Sequence, residues 1–249
     1  MSSNIPKSHP RFESLMLRER LADGFKNGFV HETGLIAHGR GEAFDYLIGE
    51  CTVPAADEAA KTAAAFLLLA DHPIISVNGN VVALVAEEIV ELSECLSAQI
   101  EVNLFHRTKD RMDRLIDRMQ KLSSQTILGD NASARIPGLD HDRGLCEKNG
   151  IYAADVILVP LEDGDRCQAL RNMGKYVITI DLNPLSRTAK TAHVSLVDNV
   201  IRALPRISYW VGELKNESVD SLRKICDDWN NSLKLEEILD LISSQFRKD

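Results

Sequence analysis

Beyond Pro73 the chain alternates short β-branched runs with segments long enough to form helices. This alternation is the signature of βαβ units, in which each helix returns the chain to the start of another parallel strand. Right-handed crossovers then place the carboxyl ends of all strands on one edge of the sheet. We predict an α/β fold with a mostly parallel sheet of about six strands, at residues 74–77, 100–102, 126–128, 156–159, 177–180 and 194–197.

The segments between these strands predict the helices and the organisation of the domain. Residues 1–70 form an N-terminal helical section, residues 71–215 the binding core and residues 216–249 two C-terminal helices, together expected to make one compact domain. A polar stretch at 129–149 is long for a connection and is a candidate lid or dimer contact. The predicted helices of the core and tail are 81–96, 109–122, 165–173, 199–215, 219–227 and 233–246.

The strand at 177–180 ends abruptly in polar residues. An apolar run buried on both faces is followed by Asp181, Leu182, Asn183 and, after a short interval, by Arg187 and Thr188. Ligands of open α/β sheets bind beyond the carboxyl ends of the strands, which favours a binding site here. An ordinary turn, in which Asp181 and Asn183 only cap the backbone, explains the same residues equally well.

Charge and cysteine content exclude several classes of protein. The net charge is −8, which argues against a general nucleic-acid surface because such surfaces need many Lys and Arg to neutralise phosphates. The five cysteines are scattered without a CxxC pair, so neither a disulfide framework nor a zinc site is indicated. The apolar runs are too short to cross a bilayer, and a reduced cytoplasm is the expected compartment, without membrane partners.

Two further stretches carry candidate binding groups. Asn78 and Asn80 flank a glycine between a strand and a helix, and a helix N-terminus of this kind suits a phosphate or carboxylate; a plain Asn cap fits as well. His38 and Arg40 lie among glycines in a segment at 34–46 that we expect to connect two helices. Arg40 could clamp an anion, and His38 could bind an anion or shuttle a proton. Alternatively, Arg40 forms an ordinary ion pair with Glu42 or Asp45 and His38 lies at the surface.

Polar residues after two other strands extend this set. Asn199 begins a helix and suits a ribose or adenine contact, or serves only as its N-cap. Carboxylates at 162–165 could hold Mg²⁺ through water or cap the helix that follows. Arg18, on the first helix, is expected to be solvated.

Five longer stretches together carry a resemblance to a known family. They are residues 5–11, 34–46, 76–80, 160–166 and 181–188, in this order along the chain. With them the sequence closely resembles the archaeal 4-phosphopantoate–β-alanine ligases, also called phosphopantothenate synthetases. The resemblance runs from Ile5 to about Ile207 and implies a Rossmann-like three-layer core and a homodimer.

The resemblance also implies an activity. Members of the family join 4-phosphopantoate to β-alanine with ATP, releasing AMP and diphosphate through an acyl-adenylate, in coenzyme A biosynthesis. We hypothesise that Arg40 and Arg187 with Mg²⁺ stabilise phosphate charge, and that His38, Asn78 and Asn80 hold the phosphopantoate. Arg40 and His38 are the expected catalytic residues, and no protein ligand of a metal is assigned. The ATP contacts implied by position are Arg18, Arg40, Asp181, Leu182, Asn183, Arg187, Thr188 and Asn199.

Two other classes of function remain open from the sequence. A Rossmann-type NAD-dependent oxidoreductase would carry a GxGxxG fingerprint after an early strand, and this chain has none. A non-catalytic nucleotide-binding module would bind ATP without releasing AMP. The sequence does not predict which residues bind β-alanine or whether a general base acts on its amine.

Overall fold

The fold is built on a parallel sheet, as predicted. The computed structural model describes residues 5–245. Its main sheet has five strands in the order β2-β1-β5-β6-β7, and β3 pairs antiparallel with β4 in a separate ribbon. The strands are β1 Ile74–Val77, β2 Gln99–Val102, β3 Ala134–Arg135, β4 Leu145–Cys146, β5 Val156–Pro160, β6 Tyr176–Ile180 and β7 Val194–Leu196.

Ten helices are found among residues 5–245, and they cover both faces of the sheet. The predicted helices are all present, with ends shifted by a few residues; Phe246, the predicted last residue of the tail helix, lies outside the described residues. No helix between residues 5 and 245 combines the length and apolarity needed to cross a bilayer. The helices are α1 Phe12–Lys26, α2 Glu32–Ile48, α3 Pro54–Leu69, α4 Gly79–Leu96, α5 Lys109–Gln120, α6 Gly164–Asn172, α7 Arg187–Thr191, α8 Val200–Leu214, α9 Val219–Asp227 and α10 Asn231–Gln245.

The strands β1, β5 and β6 read as largely apolar runs because nearly all of their residues are buried. On β5, Leu158 belongs to the core shared with α3, α4 and α8. Its neighbours Ile157 and Val159 belong to a second core with Leu170 of α6. Alternate side chains thus enter opposite layers, which is the three-layer arrangement expected for a parallel sheet covered by helices.

The sixth predicted strand, at 126–128, does not become a strand of the sheet. Leu128 alone pairs with the edge strand β2, through hydrogen bonds of 2.9 Å to the backbone of Ile100 and Val102. Gly129 then turns the chain away with a φ of +126°, and a Cβ there would lie 2.4 Å from the carbonyl oxygen of Val102. The apolar run at 126–128 does approach the sheet, but the glycine that ends it limits its pairing with β2 to Leu128.

The prediction that residues 34–46 connect two helices is wrong, because these residues lie inside α2. Two of its glycines allow close packing rather than a flexible turn. A Cβ on Gly34 would lie 2.4 Å from Oδ1 of Asn80, after β1, and a Cβ on Gly41 would lie 3.4 Å from Leu182, after β6. Further along, Asp45 accepts a hydrogen bond of 2.8 Å from Asn199, after β7. Helix α2 therefore crosses the carboxyl edge of the sheet from β1 to β7.

His193 connects β6 to the segment before β7. Its Nδ1 accepts a hydrogen bond of 3.0 Å from the amide of Val177, and its ring packs on Tyr176 at 4.8 Å. Burial, and then the charge of Arg171, lower the pKa of His193 to about 4. A folded-state pKa below the unfolded value means that this group contributes stability above pH 6.5, which is lost as the pH falls toward 4.

We predict that His193→Asn flattens the acid limb of the stability curve, because Asn keeps an acceptor near the Val177 amide but does not titrate. Between pH 6.5 and 4.5 the wild-type free energy of unfolding should fall by about 1 kcal/mol more than that of the variant, after allowance for the partial exposure of the ring. Urea unfolding at several pH values measures this difference. Parallel curves for the two proteins would show that His193 does not carry the effect.

Candidate active site

The sheet has a topological switch point between β1 and β5. From β1 the chain moves outward to β2, then returns to the other side of β1 and continues through β5, β6 and β7. Crossovers on the two sides of this point lie on opposite faces, which leaves a crevice at the carboxyl ends of the strands. A cleft of about 370 Å³ opens there beneath α2.

The cleft is rich in basic side chains. It is lined by His31 and Arg40 of the α2 region, by His106 and Arg111 beyond β2, and by Arg143 from the 129–149 segment. Asp163 is the carboxylate among its lining residues. The balance of charge favours an anionic ligand such as a phosphate or a carboxylate.

Asn78 fixes the floor of the cleft. Its Oδ1 accepts hydrogen bonds from the amides of Asn80 and Val81, capping α4, while its Nδ2 donates to the carbonyl oxygens of Pro160 and Leu161 at 3.2 and 3.1 Å. The capping alternative thus describes this side chain, and the same side chain joins the ends of β1 and β5 across the switch point. Asn80 donates to the carbonyl oxygen of Gly34 at 2.8 Å and so joins β1 to α2.

A stacked pair of histidines forms one wall. The rings of His31 and His106 lie 3.8 Å apart and nearly parallel. Burial, then the charges of His106 and Arg111, lower the pKa of His31, so that it is neutral at pH 7. Arg111 is held by the carbonyl oxygens of Phe29 and His106 at 2.8 and 2.5 Å. The wall therefore presents a fixed guanidinium beside imidazoles that donate or accept hydrogen bonds.

Arg40 lies between the cleft on the β1 side of the sheet edge and the turn that follows β6. It lines the cleft, and its charge also acts on the carboxylate of Asp181, after β6. The alternative of an ion pair within α2 does not hold, because Glu42 pairs with Arg11 and Arg18 at 2.9 and 2.8 Å.

The other carboxylate near Arg40 on α2 is also occupied, because Asp45 pairs with Arg202 at 2.5 Å. Within residues 5–245, Arg40 has no ion-pair partner. Its guanidinium is exposed and available to a ligand.

The predicted ATP contacts after β6 form a turn stabilised by its own side chains. Asp181 accepts hydrogen bonds from the amide of Asn183 at 3.0 Å and from the hydroxyl of Ser186 at 2.5 Å. Burial raises the pKa of Asp181, against these two hydrogen bonds and the charge of Arg40. Thr188 is buried and donates to the carbonyl oxygen of Glu162. Arg187 beside it is exposed and, in the described part of the chain, unpaired.

The remaining predicted residues, Arg18, His38 and Asn199, lie within α2 or contact it from α1 and from the start of α8. Arg18 is bound to Glu42, as above, and His38 is half-buried next to them, with burial lowering its pKa and its Nε2 lacking a hydrogen-bond partner among residues 5–245. His38 does not line the cleft. Asn199 is buried; it caps α8 and donates to Asp45, so the N-cap reading describes its side chain.

Two arginines, one lining the cleft and one buried below it, share one carboxylate. Arg143 donates to Glu162 Oε1 at 2.6 Å, and Arg166 of α6 donates to Glu162 Oε2 and, at 3.2 Å, to the hydroxyl of Ser76. Burial alone would raise the pKa of Glu162, but the two guanidinium groups hold it below its usual range. Glu162 therefore is not available to a metal ion. Among residues 5–245 no three His, Cys, Asp or Glu side chains cluster in a way that could hold one.

Sequence reasoning missed much of the basic lining. His31, His106 and Arg111 gave no motif of their own, although 103–106 directly follow a predicted strand, and His106 could have been included on that ground. Arg143 lies in the segment that was expected to be a lid or dimer contact, and it enters the cleft from the loop between β3 and β4. For Asp163 the sequence predicts a role only as one of the carboxylates at 162–165.

Comparisons with known proteins agree on one family. A family model described as phosphopantothenate/pantothenate synthetase matches residues 55–245. A protein of Thermococcus kodakarensis named 4-phosphopantoate–β-alanine ligase is 52% identical over 95% of this chain and 91% of its own length. Proteins of the same name from Methanosarcina mazei and Methanospirillum hungatei are 49% and 54% identical, covering 98% and 88% of this chain and 96% and 90% of their own lengths.

We predict that Asn78→Ala destabilises the protein by about 2–4 kcal/mol, because it removes an N-cap and leaves two carbonyl oxygens at the switch point without a donor. Thr108→Ala, which removes only the exposed N-cap of α5, is the matched control and should cost about 1 kcal/mol. Urea unfolding of both variants measures the difference. Equal losses would mean that the bonds to Pro160 and Leu161 contribute nothing.

Proposed function

The chain belongs to the phosphopantothenate/pantothenate synthetase family, and on this premise we propose that it is an ATP-dependent ligase that joins 4-phosphopantoate to β-alanine, forming 4′-phosphopantothenate for coenzyme A biosynthesis. We further propose that AMP and diphosphate are released. The observation that supports the proposal, beside the family, is the guanidinium of Arg40, which is unpaired among residues 5–245 and lies between a basic cleft and the turn after β6.

The chemistry requires activation of a carboxylate. In the proposed first step an oxygen of the pantoate carboxylate attacks the α-phosphorus of ATP, and diphosphate leaves. In the second step the β-alanine amine attacks the carbonyl carbon of the acyl-adenylate, AMP leaves with the bonding electron pair, and the amine gives up a proton. Both steps depend on positioning and on stabilising negative charge rather than on a protein nucleophile.

The thiols of the core fit this view, because neither is suited to act as a nucleophile. Burial raises the pKa of Cys146 to about 11 and that of Cys167 to about 12. Both remain protonated at neutral pH, and a thiol is a poor nucleophile compared with its thiolate.

We assign the acid to the cleft and the nucleotide to the β6–β7 side of the edge. Asn78 and Asn80 shape the floor under the acid. We keep His38 as a proposed substrate contact, but its Nε2 is buried outside the lining of the cleft, so this role requires the side chain to turn toward the substrate. Arg40 would contact the groups that react. The residues that we propose for the nucleotide site are Arg18, Arg40, Asp181, Leu182, Asn183, Arg187, Thr188 and Asn199.

The internal hydrogen bonds of these side chains refine their proposed roles. Thr188 and Asn199 are buried and already bonded, so they shape the nucleotide site rather than donate to ATP directly. Arg187, exposed at the start of α7, is free to bind a phosphate. Leu182 is buried against α2 and would contribute backbone and apolar surface.

We propose Mg²⁺ as the counterion of the ATP phosphates. Asp163 fits such a role, since it lines the cleft with a half-exposed carboxylate that could accept hydrogen bonds from waters of a hydrated ion. The ion would supply charge neutralisation at the phosphates.

We predict that the protein forms AMP and an amide when given ATP, Mg²⁺, 4-phosphopantoate and β-alanine, and that Arg40→Ala reduces this rate by about 100-fold or more. Arg40 has no ion-pair partner among residues 5–245, so its loss should leave the unfolding midpoint unchanged. Arg118→Ala, which removes an arginine paired with Glu87 on the surface far along α5, is the control and should be fully active.

The same assay separates the competing functions. ATP binding without AMP would indicate a non-catalytic nucleotide module, and a spectral change with NAD(H) would indicate an oxidoreductase. ADP in place of AMP would point to an acyl-phosphate route. Pantoate used as well as its 4-phosphate would contradict the proposed substrate, and near-normal turnover by Arg40→Ala would contradict the role of that residue.

We also propose that the protein is a homodimer that associates through α2. Ile36 and Tyr46 are 67% and 65% exposed, and Gly39 and Ala43 lie between them at spacings of three and four residues on the same face of the helix. Small residues flanked by large apolar ones allow two helices to approach closely, and burying such a stripe is favourable.

We predict that Ile36→Glu combined with Tyr46→Glu converts the dimer to a monomer in sedimentation velocity, because the face would then carry charges that must be desolvated. Leu233→Glu, on an exposed position of α10, is the matched control and should remain dimeric. A double variant that still sediments as a dimer would place the interface elsewhere.

A further inference from the structure

The buried cluster of Arg143, Glu162 and Arg166 carries more positive than negative charge. The side chains of Arg143, Glu162 and Arg166 are 7%, 1% and 0% exposed, and both guanidinium groups bond to the same carboxylate. The nearest other carboxylate, Asp163, is 3.7 Å from Nε of Arg143 and half exposed, so that water screens it.

A second buried carboxylate near Arg166 is committed elsewhere. Glu101 of β2 accepts hydrogen bonds of 2.9 and 2.6 Å from the amides of Glu147 and Ile151, and burial raises its pKa to about 7. It is therefore only partly ionised at neutral pH. Arg143 and Arg166 thus place two guanidinium groups on one fully buried carboxylate, and keeping this excess of positive charge away from water is unfavourable.

The two arginines occupy different positions relative to the cleft. Arg143 lines it, whereas Arg166 is fully buried in α6 against Ser76 of β1 and cannot touch a ligand. The two nitrogens Nε of Arg143 and Nε of Arg166 have no hydrogen-bond partner within residues 5–245. Because Arg166 takes Oε2 of Glu162, Arg143 bonds to Oε1 alone, and no bidentate pair with this carboxylate forms.

We propose that Arg166 is a positioning residue that divides the charge of Glu162, so that Arg143 keeps unneutralised positive charge for an anionic group of the acid substrate at the end of β5. The inference rests on the proposed function for the identity of that acid. Without Arg166, Glu162 would turn both oxygens to Arg143, and the resulting neutral pair would attract an anion less strongly.

The proposal predicts that replacing Arg166 changes the affinity for the acid without lowering the stability of the fold. Arg166→Met fills the same space with an apolar chain and turns an overcharged triad into a balanced pair, which should be at least as stable as wild type. The same change should weaken binding of the acid. A residue that only supports the fold would show the opposite, a loss of stability with no selective loss of affinity.

The test is a calorimetric titration of 4-phosphopantoate into the full-length protein without ATP or β-alanine. We expect R166M to bind the acid about tenfold more weakly than wild type while binding ATP within about twofold of wild type. Thermal unfolding of the same samples should give a midpoint equal to or above that of wild type. The surface variant Arg118→Met is the control for loss of an arginine and should match wild type in all three measurements.

A double variant provides a second test that does not depend on the result for R166M alone. R166M combined with Glu162→Gln removes one charge of each sign, leaves Arg143 charged, and should bind the acid within about threefold of wild type. Recovery of this kind supports a charge-dividing role even if R166M alone folds poorly. A double variant that binds as weakly as R166M overturns the proposal.

Other results also overturn it. R166M that binds the acid like wild type, or that loses affinity for ATP and the acid together, contradicts a selective role. Failure of the proposed function is recognised separately, because a wild-type protein that binds 4-phosphopantoate but forms no product would refute the ligase and leave this titration valid.

Discussion

The close contact between α2 and the carboxyl edge of the sheet is the constraint on which the site depends. Gly34 meets Asn80 after β1, Gly41 meets Leu182 after β6, and Asp45 bonds to Asn199 after β7. A larger side chain at Gly34 would collide with Asn80, so the helix could not reach the edge. When α2 packs against this edge, Arg40 lies between the two groups of candidate binding residues, those of the cleft and those of the turn after β6.

The polar groups beneath α2 are arranged around charge that the fold does not neutralise. Ser76 and Glu101 are register partners on β1 and β2, and both are buried near the cluster in which Arg143 and Arg166 share Glu162. Burying uncompensated charge is unfavourable, and such arrangements are typical of functional rather than structural sites. An apolar replacement would suit the core better, but it would leave the cleft with less attraction for an anion.

The strands were predictable because burial on both faces leaves a direct mark in the sequence. At 156–159 and 177–180 every residue is apolar or β-branched, and no alternating pattern is needed to recognise them. The run at 126–128 looks the same locally, but the glycine after it ends the pairing at Leu128. Helix α2 was missed because its glycines suggested a turn, whereas the packing against Asn80 and Leu182 requires small residues within a helix.

The sequence by itself determined the parallel α/β architecture, the family, and the polar residues that end each strand, because period, burial and motif are local properties of the chain. Tertiary structure decided which of these polar groups remain free. Asn78 and Asn199 are bound by partners 82 or more residues away, whereas Arg40 has no partner in the described part of the chain. It also brought together Arg143, Glu162 and Arg166, whose shared charge arises only when a loop, a strand end and a helix meet.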